Sequence, residues 1–131
     1  MSEPDIKPNG FADFVGIEWL GFDPDGARAR VPIEPQHLQP YGIVHGGVLT
    51  TLSESLCSAA THVAVSDDGM AAMGQANDTT FLRPLTEGHI NAAARARHRG
   101  RTTWVWDVEI TDDEGRVCAL SRMTIAVRPQ R

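Results

Sequence analysis

The sequence has no long apolar run and no targeting signal, and both absences exclude classes of protein. No stretch approaches the roughly 18 apolar residues of a membrane-spanning helix. The N-terminal 30 residues do not combine a basic start, an apolar core and a small-residue cleavage site. We therefore expect a soluble, cytoplasmic protein with no membrane partner.

Cysteine is also scarce, since Cys57 and Cys118 are the 2 in the chain. Both lie inside apolar segments and lack the clustered spacing of a zinc site. We expect two buried, reduced thiols and no bound metal. Apart from His45, the histidines of the chain also lack the spacing of metal ligands. We predict surface or loop positions for His37, His62, His89 and His98.

Basic residues are outnumbered, with 12 Lys and Arg against 17 Asp and Glu, which gives a net charge of −5. This acidity argues against a nucleic-acid partner. The imbalance is uneven, because residues 83–131 hold 9 basic side chains, all arginine, against 6 acidic ones. We expect an anionic ligand to bind this C-terminal part.

The length and the hydrophobic content indicate one domain. The 131 residues, 41% of them hydrophobic, suffice for one core. We expect a single domain over residues 1–131 without a linker.

The N-terminal third predicts little regular structure. The first fourteen residues indicate an arm or short helix, and strands are predicted at residues 15–22 and 27–31 with a turn between them. Three prolines keep residues 32–41 out of regular structure.

The rest of the chain predicts one long helix and four strands. Apolar residues recur at helical spacing over residues 46–65. The predicted strands are residues 71–82, 88–99, 101–112 and 116–127, joined as a meander. We predict an α+β fold, an antiparallel sheet wrapped round one long helix, whose open sheet face favours oligomers.

Two sets of side chains in these strands allow alternative interpretations. Trp104 and Trp106 share a strand face, which favours core packing, with the floor of an aromatic pocket as the alternative. Arg95, Arg97 and Arg99 are predicted to alternate onto one face, as a solvated surface or a subunit contact.

The start of the predicted helix and one carboxylate inside it suggest a reactive site. Gly46 and Gly47 stand where backbone N–H groups lack acceptors and the helix dipole is positive, which suits an anion or a developing oxyanion. A plain glycine start to the helix is the alternative. Glu54 lies about 12 Å further along the helix, so the two groups can act on one substrate only from different chains. A homodimer with antiparallel helices satisfies this requirement.

Several motifs resemble the hotdog-fold acyl-CoA thioesterases of the phenylacetic-acid-degradation type. They are His45, Gly46 and Gly47 with an acid nine positions after the histidine, residues 77–84 (NDTTFLRP), Gly88, residues 98–101 and residues 113–116. Within that family the sequence is most similar to the 4-hydroxybenzoyl-CoA thioesterases that carry glutamate. That likeness lies in residues 74–75, 79–84, 87–89, 102–107 and 125–129.

The resemblance implies a six-stranded sheet, homodimers that usually pair into homotetramers, and an active site shared between subunits. In such a site Gly46 donates its amide to the thioester carbonyl, Glu54 attacks the carbon or activates a water, and Gln39 orients the thioester or the water. Ser58 stands where related enzymes have a threonine. His45, which we count among the substrate-binding residues, is implied to hold the loop through a hydrogen bond.

For the coenzyme A part of the substrate, the resemblance implies phosphate contacts at Arg83, Arg101, Thr102 and Arg131. We also predict Gly47 as a substrate-binding residue, because glycine lets a substrate approach the backbone closely. Arg101 replaces a serine of the most similar relatives. No separate cofactor is implied.

We therefore expect hydrolysis of an aromatic acyl-CoA, with 4-hydroxybenzoyl-CoA as the leading substrate. The alternatives are 1,4-dihydroxy-2-naphthoyl-CoA, a broad acyl-CoA range, or a non-catalytic module that binds acyl-CoA and regulates a pathway.

Overall fold

The long helix forms where the apolar spacing predicts it, at Gly46–Val65. The structure, a computed structural model, describes residues 10–23 and 25–131. Its α-helices and strands are, in chain order, α1 (Phe11–Val15), β1 (Glu18–Phe22), β2 (Gly26–Pro32), α2 (Gly46–Val65), β3 (Met70–Phe81), β4 (His89–Arg99), β5 (Thr103–Thr111) and β6 (Val117–Pro129). Short 3₁₀ helices lie at Pro35–His37 and Ser66–Asp68, and the first of them contradicts the prediction that residues 32–41 lack regular structure. No helix in these described ranges is long and apolar enough to cross a membrane.

The six strands form one antiparallel sheet in the order β1-β2-β4-β5-β6-β3. The predicted α+β arrangement of a sheet against one long helix is confirmed. The predicted meander is correct for β4, β5 and β6 but wrong for β3. That strand pairs with β6 at the far edge because the segment after Phe81 carries the chain across the sheet to β4.

One face of the sheet packs against α2 and forms the core. Leu52, Leu56 and Trp106 are completely buried there. Trp106 Nε1 donates a hydrogen bond of 2.9 Å to Thr61 Oγ1 on the helix. With Trp104 also buried, the core interpretation of the two tryptophans is confirmed.

Both cysteines are buried and unpaired, as predicted. Cys57 lies on α2 among the core residues, and Cys118 lies on β6. Burial raises the pKa of both thiols, so both stay protonated at neutral pH.

The N-terminal predictions need correction. Val15 ends helix α1, and Gly16, with a φ of 92°, turns the chain before β1 begins at Glu18. The predicted strand at residues 15–22 is therefore three residues too long at its start. The short-helix alternative for the first fourteen residues agrees with helix α1. The rest of that segment, residues 1–9, and Pro24 of the predicted turn lie outside the described residues.

A β-bulge between Ala96 and His98 changes the placement of the arginines on β4. The extra residue, Arg97, shifts the alternation, so that Arg99 pairs with the inward-facing Trp104 while Arg95 pairs with Asp107. The prediction that all three arginines share one face is therefore wrong.

Candidate active site

The first turn of α2 leaves one backbone donor without a partner. His45 is the N-cap, and its Nδ1 accepts a hydrogen bond of 2.8 Å from the Gly47 N–H. The Gly46 N–H has no acceptor among the described residues. Gly46 is therefore the free donor at the positive end of the helix dipole.

A buried histidine in the preceding loop fixes the position of His45. His37 is 3% exposed, and its carbonyl accepts a hydrogen bond of 2.8 Å from the His45 N–H. Its Nδ1 accepts from the Glu34 N–H, so its Nε2 donates to the Val15 carbonyl, 2.6 Å away. The prediction of a surface or loop position for His37 is wrong, because the residue is buried and ends a short 3₁₀ helix, Pro35–His37.

A cleft of about 500 Å³ opens beside Gly46. It is lined by Gln39, Ile43, Val44, Gly46, Leu49, Phe81, Leu82, Arg83, Pro84, Leu85 and Cys118. A Cβ at Gly46 would lie 2.9 Å from Cζ of Phe81, so the glycine makes room for that ring. A larger depression of about 670 Å³ lies on the opposite face of the sheet. Among the described residues that line it, none is a predicted site residue.

Gln39 enters this cleft from the loop before α2. Its backbone N–H donates to the Ile43 carbonyl at 2.8 Å, and its side-chain Oε1 accepts from the Tyr41 N–H at 3.0 Å. Because the side-chain oxygen is engaged, the amide nitrogen is the donor left for a substrate or a water.

Glu54 stands outside the cleft of its own chain. It is exposed on the third turn of α2, about 12 Å along the helix from Gly46. Half-buried Ser58 follows one turn later on the same helix face. One chain thus brings Gly46 and Gln39 together and presents Glu54 with Ser58 separately, in agreement with the spacing argument.

The predicted phosphate contacts fall into two groups within one chain. Exposed Arg83 lines the cleft beside the end of β3, where Phe81 pairs with Ala119 of β6. Exposed Thr102 lies at the other end of β6, and its carbonyl accepts from the Val127 N–H. Ala119 and Val127 are eight positions apart along the strand, a length of roughly 26 Å.

Arg101 and Arg131 belong to the second group. Arg101 precedes Thr102 in the turn between β4 and β5, and Arg131 follows Gln130, whose N–H donates to the Gly69 carbonyl near the start of β3. Both are exposed. Arg83 and these residues can therefore contact one and the same phosphate group only if they come from different chains.

No group of three or more His, Cys, Asp or Glu side chains in residues 10–23 and 25–131 is arranged to hold a metal ion. Cys118 lines the cleft, but burial raises the pKa of its thiol, which disfavours the nucleophilic thiolate. Glu54 remains the carboxylate on the exposed side of α2.

Comparison with known proteins finds thioesterases that are similar to this chain in sequence and in structure. The sequence model of the thioesterase superfamily matches residues 41–119. The proofreading thioesterase EntH of Cronobacter turicensis is 30% identical over 115 residues, which cover 88% of this chain and 83% of that protein.

Two solved structures have similar sequences and similar folds. A glutamine-to-alanine variant of thioesterase PA1618 from Pseudomonas aeruginosa is 36% identical, with a TM-score of 0.86 over 90% of this chain and 85% of that one. Thioesterase HI1161 from Haemophilus influenzae is 31% identical, with a TM-score of 0.85 over 90% of this chain and 82% of that one.

Proposed function

Since the chain belongs to the thioesterase superfamily, whose members hydrolyse thioesters, we propose that it hydrolyses an aromatic acyl-CoA to the free acid and coenzyme A. The leading substrate is 4-hydroxybenzoyl-CoA, and the proposed location is the cytoplasm. The expected hotdog fold is confirmed, because the six-stranded sheet and the long helix match solved thioesterases at TM-scores of 0.85 and 0.86.

The observation that carries the proposal is the free Gly46 N–H at the start of α2. In our mechanism it polarises the thioester carbonyl and stabilises the negative charge that forms on its oxygen. His45 keeps Gly47 from competing, because it accepts the Gly47 N–H at 2.8 Å. One preorganised amide is therefore directed at the substrate.

Glu54 of the second chain supplies the attacking chemistry. It either bonds to the carbonyl carbon, giving an anhydride that water hydrolyses, or takes a proton from a water that attacks the carbon. In both routes the C–S bond breaks and coenzyme A leaves as a thiolate, a good leaving group. We propose that no metal or cofactor is needed, because the thioester is already electrophilic.

Gln39 and Ser58 complete the proposed catalytic group. The side-chain nitrogen of Gln39, next to Gly46 in the cleft, orients the thioester or the water. Ser58, one helical turn beyond Glu54, hydrogen-bonds the carboxylate or the water that it activates.

A homodimer is the minimal active unit in this proposal, and two dimers form a homotetramer. The edge position of β3 and its exposed Met73 and Phe81 support a subunit contact there. The same dimer lets Arg83 of one chain and Arg101, Thr102 and Arg131 of the other bind the phosphates of one coenzyme A.

The aromatic preference is supported by Phe81, whose ring lines the cleft and reaches the Gly46 backbone. A planar acyl group whose carbonyl oxygen meets the Gly46 N–H would lie near that ring, where aromatic pairs gain about 0.5–1.5 kcal/mol beyond burial.

A thiol-release assay tests the function. Wild type and Glu54→Ala are compared on benzoyl-, 4-hydroxybenzoyl-, 1,4-dihydroxy-2-naphthoyl- and hexanoyl-CoA. We expect wild type to favour the hydroxybenzoyl substrate and Glu54→Ala to lose turnover by about 10³-fold or more. The variant should still bind substrate analogues.

Two other results of this assay would contradict the proposal. Equal rates on all four substrates would overturn the aromatic assignment and favour a broad thioesterase. No turnover by wild type on any substrate, together with tight binding, would favour the regulatory module.

A further inference from the structure

A β-bulge in β3 turns two residues towards the exposed flank of α2. The register with β6 shifts between Gly74 and Ala76, so Gln75 is an extra residue. In a regular strand, Gly74 and Asn77 would point to opposite faces, because they are three positions apart. With the bulge both face α2, which their contacts with that helix confirm.

Asn77 contacts the helical turn that carries Glu54. Its Nδ2 donates a hydrogen bond of 2.9 Å to the Thr50 carbonyl. In an α-helix that carbonyl also accepts the N–H of the residue four positions later, which here is Glu54. Asn77 therefore holds the Thr50 carbonyl, to which the Glu54 N–H is hydrogen-bonded.

A chain of hydroxyl groups fixes Asn77 in turn. Thr79 Oγ1 donates to Asn77 Oδ1 at 2.7 Å and lies 2.8 Å from Ser121 Oγ, which lies 2.8 Å from Ser53 Oγ. Because Thr79 donates its hydrogen to Asn77, it accepts from Ser121, and Ser121 accepts from Ser53. Ser53 is completely buried and directly precedes Glu54, so the chain begins and ends on the helix.

Gly74 lies directly under the Glu54 side chain. A Cβ at position 74 would stand 3.3 Å from Cγ, Cδ and Oε2 of Glu54. That spacing is tighter than about nine in ten real Cβ contacts, so an added methyl group would push the carboxylate by a few tenths of an ångström.

We propose that the bulged segment of β3 positions the Glu54 carboxylate for attack. Gly74 supplies the space that the side chain occupies, and Asn77 fixes the helical turn from which it projects. Both act through Glu54 and neither is proposed to touch the substrate, so they are positioning residues. The inference rests on the proposed role of Glu54 in catalysis.

The test is the variant Gly74→Ala, with Gly26→Ala as the matched control. Gly26 also lies on a strand, and a Cβ there would make an ordinary contact of 3.4 Å with the Ala94 carbonyl. We measure kcat, KM and the melting temperature of both variants with 4-hydroxybenzoyl-CoA, or with whichever substrate wild type hydrolyses fastest.

We expect Gly74→Ala to lower kcat by about 10-fold and leave KM within about twofold, because a small displacement of a reacting group costs rate without affecting substrate binding. Its melting temperature should match that of Gly26→Ala. Added to Glu54→Ala, the same substitution should cause no further loss, since the displaced side chain is absent.

The outcomes separate this inference from the function on which it rests. If Glu54→Ala keeps wild-type turnover, both proposals are overturned. If Glu54→Ala loses turnover while Gly74→Ala behaves like Gly26→Ala, or lowers kcat further in the Glu54→Ala background, the positioning role alone is overturned.

Discussion

Two side chains shape the first turn of α2 around Gly46. His45 Nδ1 accepts the Gly47 N–H at 2.8 Å, and the Phe81 ring fills the space that a Cβ at Gly46 would occupy. The first contact leaves one amide as the available donor, and the second accounts for the glycine. Since Phe81 crowds only the Cβ position, the roles of the glycine and of its N–H can be tested separately.

Replacing Gly46 by proline removes the N–H while retaining the backbone shape. Proline suits the first position of a helix, and the extended backbone of His45, with φ −63° and ψ 133°, suits a residue before proline. We expect kcat of Gly46→Pro to be about 10²–10³-fold below that of Gly46→Ala, as for loss of an oxyanion donor. Single-turnover rates and circular dichroism on both variants provide the measurement.

Gly46→Ala is the control in that comparison, because it adds the same Cβ against Phe81 and keeps the N–H. Equal kcat values for the two variants would show that the amide does not act on the reacting carbonyl. Any loss that the two variants share reports the displaced Phe81 ring.

The sequence motifs indicated some of these positions and not others. The glycines before an amphipathic helix point to an exposed amide, and His45 appears in the same motif, so both could be predicted from local patterns. Gly74 and Asn77 also lie in the resembling motifs, but their role beside Glu54 could not be predicted, because their shared orientation depends on a bulge that sequence alternation does not reveal. His37 was missed for a similar reason, since its burial follows from contact with α1, 22 residues away.

Among the connecting elements, the turn between β5 and β6 contains a carboxylate stabilised in its charged form. Asp113 Oδ1 accepts from Asn91 Nδ2 at 3.0 Å, and its Oδ2 lies 3.0 Å from His89 Nδ1 on β4. These hydrogen bonds, the one from Asn91 foremost, hold the pKa of Asp113 below its usual value. The turn is thereby attached to the start of β4.

This lowered pKa predicts how the stability of the turn depends on pH. A depressed carboxylate pKa stabilises the folded state above the unfolded pKa, and the benefit is lost as pH falls through the folded pKa. We expect Asp113→Asn to lower the free energy of unfolding by less than about 1 kcal/mol at neutral pH, because the pair is exposed. The difference from wild type should shrink between roughly pH 5 and roughly pH 2 in urea titrations.

Asp67→Asn serves as the comparison, since the side chain of exposed Asp67 accepts no hydrogen bond from the described residues. Its effect should not follow the same pH course. A stability difference for Asp113→Asn that stays constant down to the lowest pH would contradict the assignment.

Elements were predictable where their signal is local. Helix α2 has a long apolar stripe and a glycine start, and its predicted and observed bounds coincide. The position of β3 at the sheet edge was not predictable, because strand order depends on pairing between distant segments. Gly16 likewise made the first strand begin later than predicted, through a left-handed turn that its neighbours do not signal.

For the whole molecule, the main consequence of this topology is that one chain alone cannot form the proposed site. The cleft beside Gly46 contains Gln39 and Arg83, whereas Glu54 stands on the flank of α2 above Gly74. A two-fold axis that brings one cleft to the other chain's Glu54 would create two equivalent sites. Each site would then combine Gly46 of one protomer with Glu54 of its partner.

Mixed dimers of two inactive variants test this arrangement directly. When Gly46→Pro and Glu54→Ala chains are unfolded together and refolded, each heterodimer has one site with both defects and one site with neither. Random assortment makes half of the dimers heterodimers, so we expect about a quarter of wild-type kcat per active-site pair. Refolding each variant alone is the control and should give no recovery. If the mixture stays as inactive as its parents while size-exclusion chromatography and mass spectrometry confirm heterodimers, the two groups belong to one chain's site, and the shared-site mechanism is wrong.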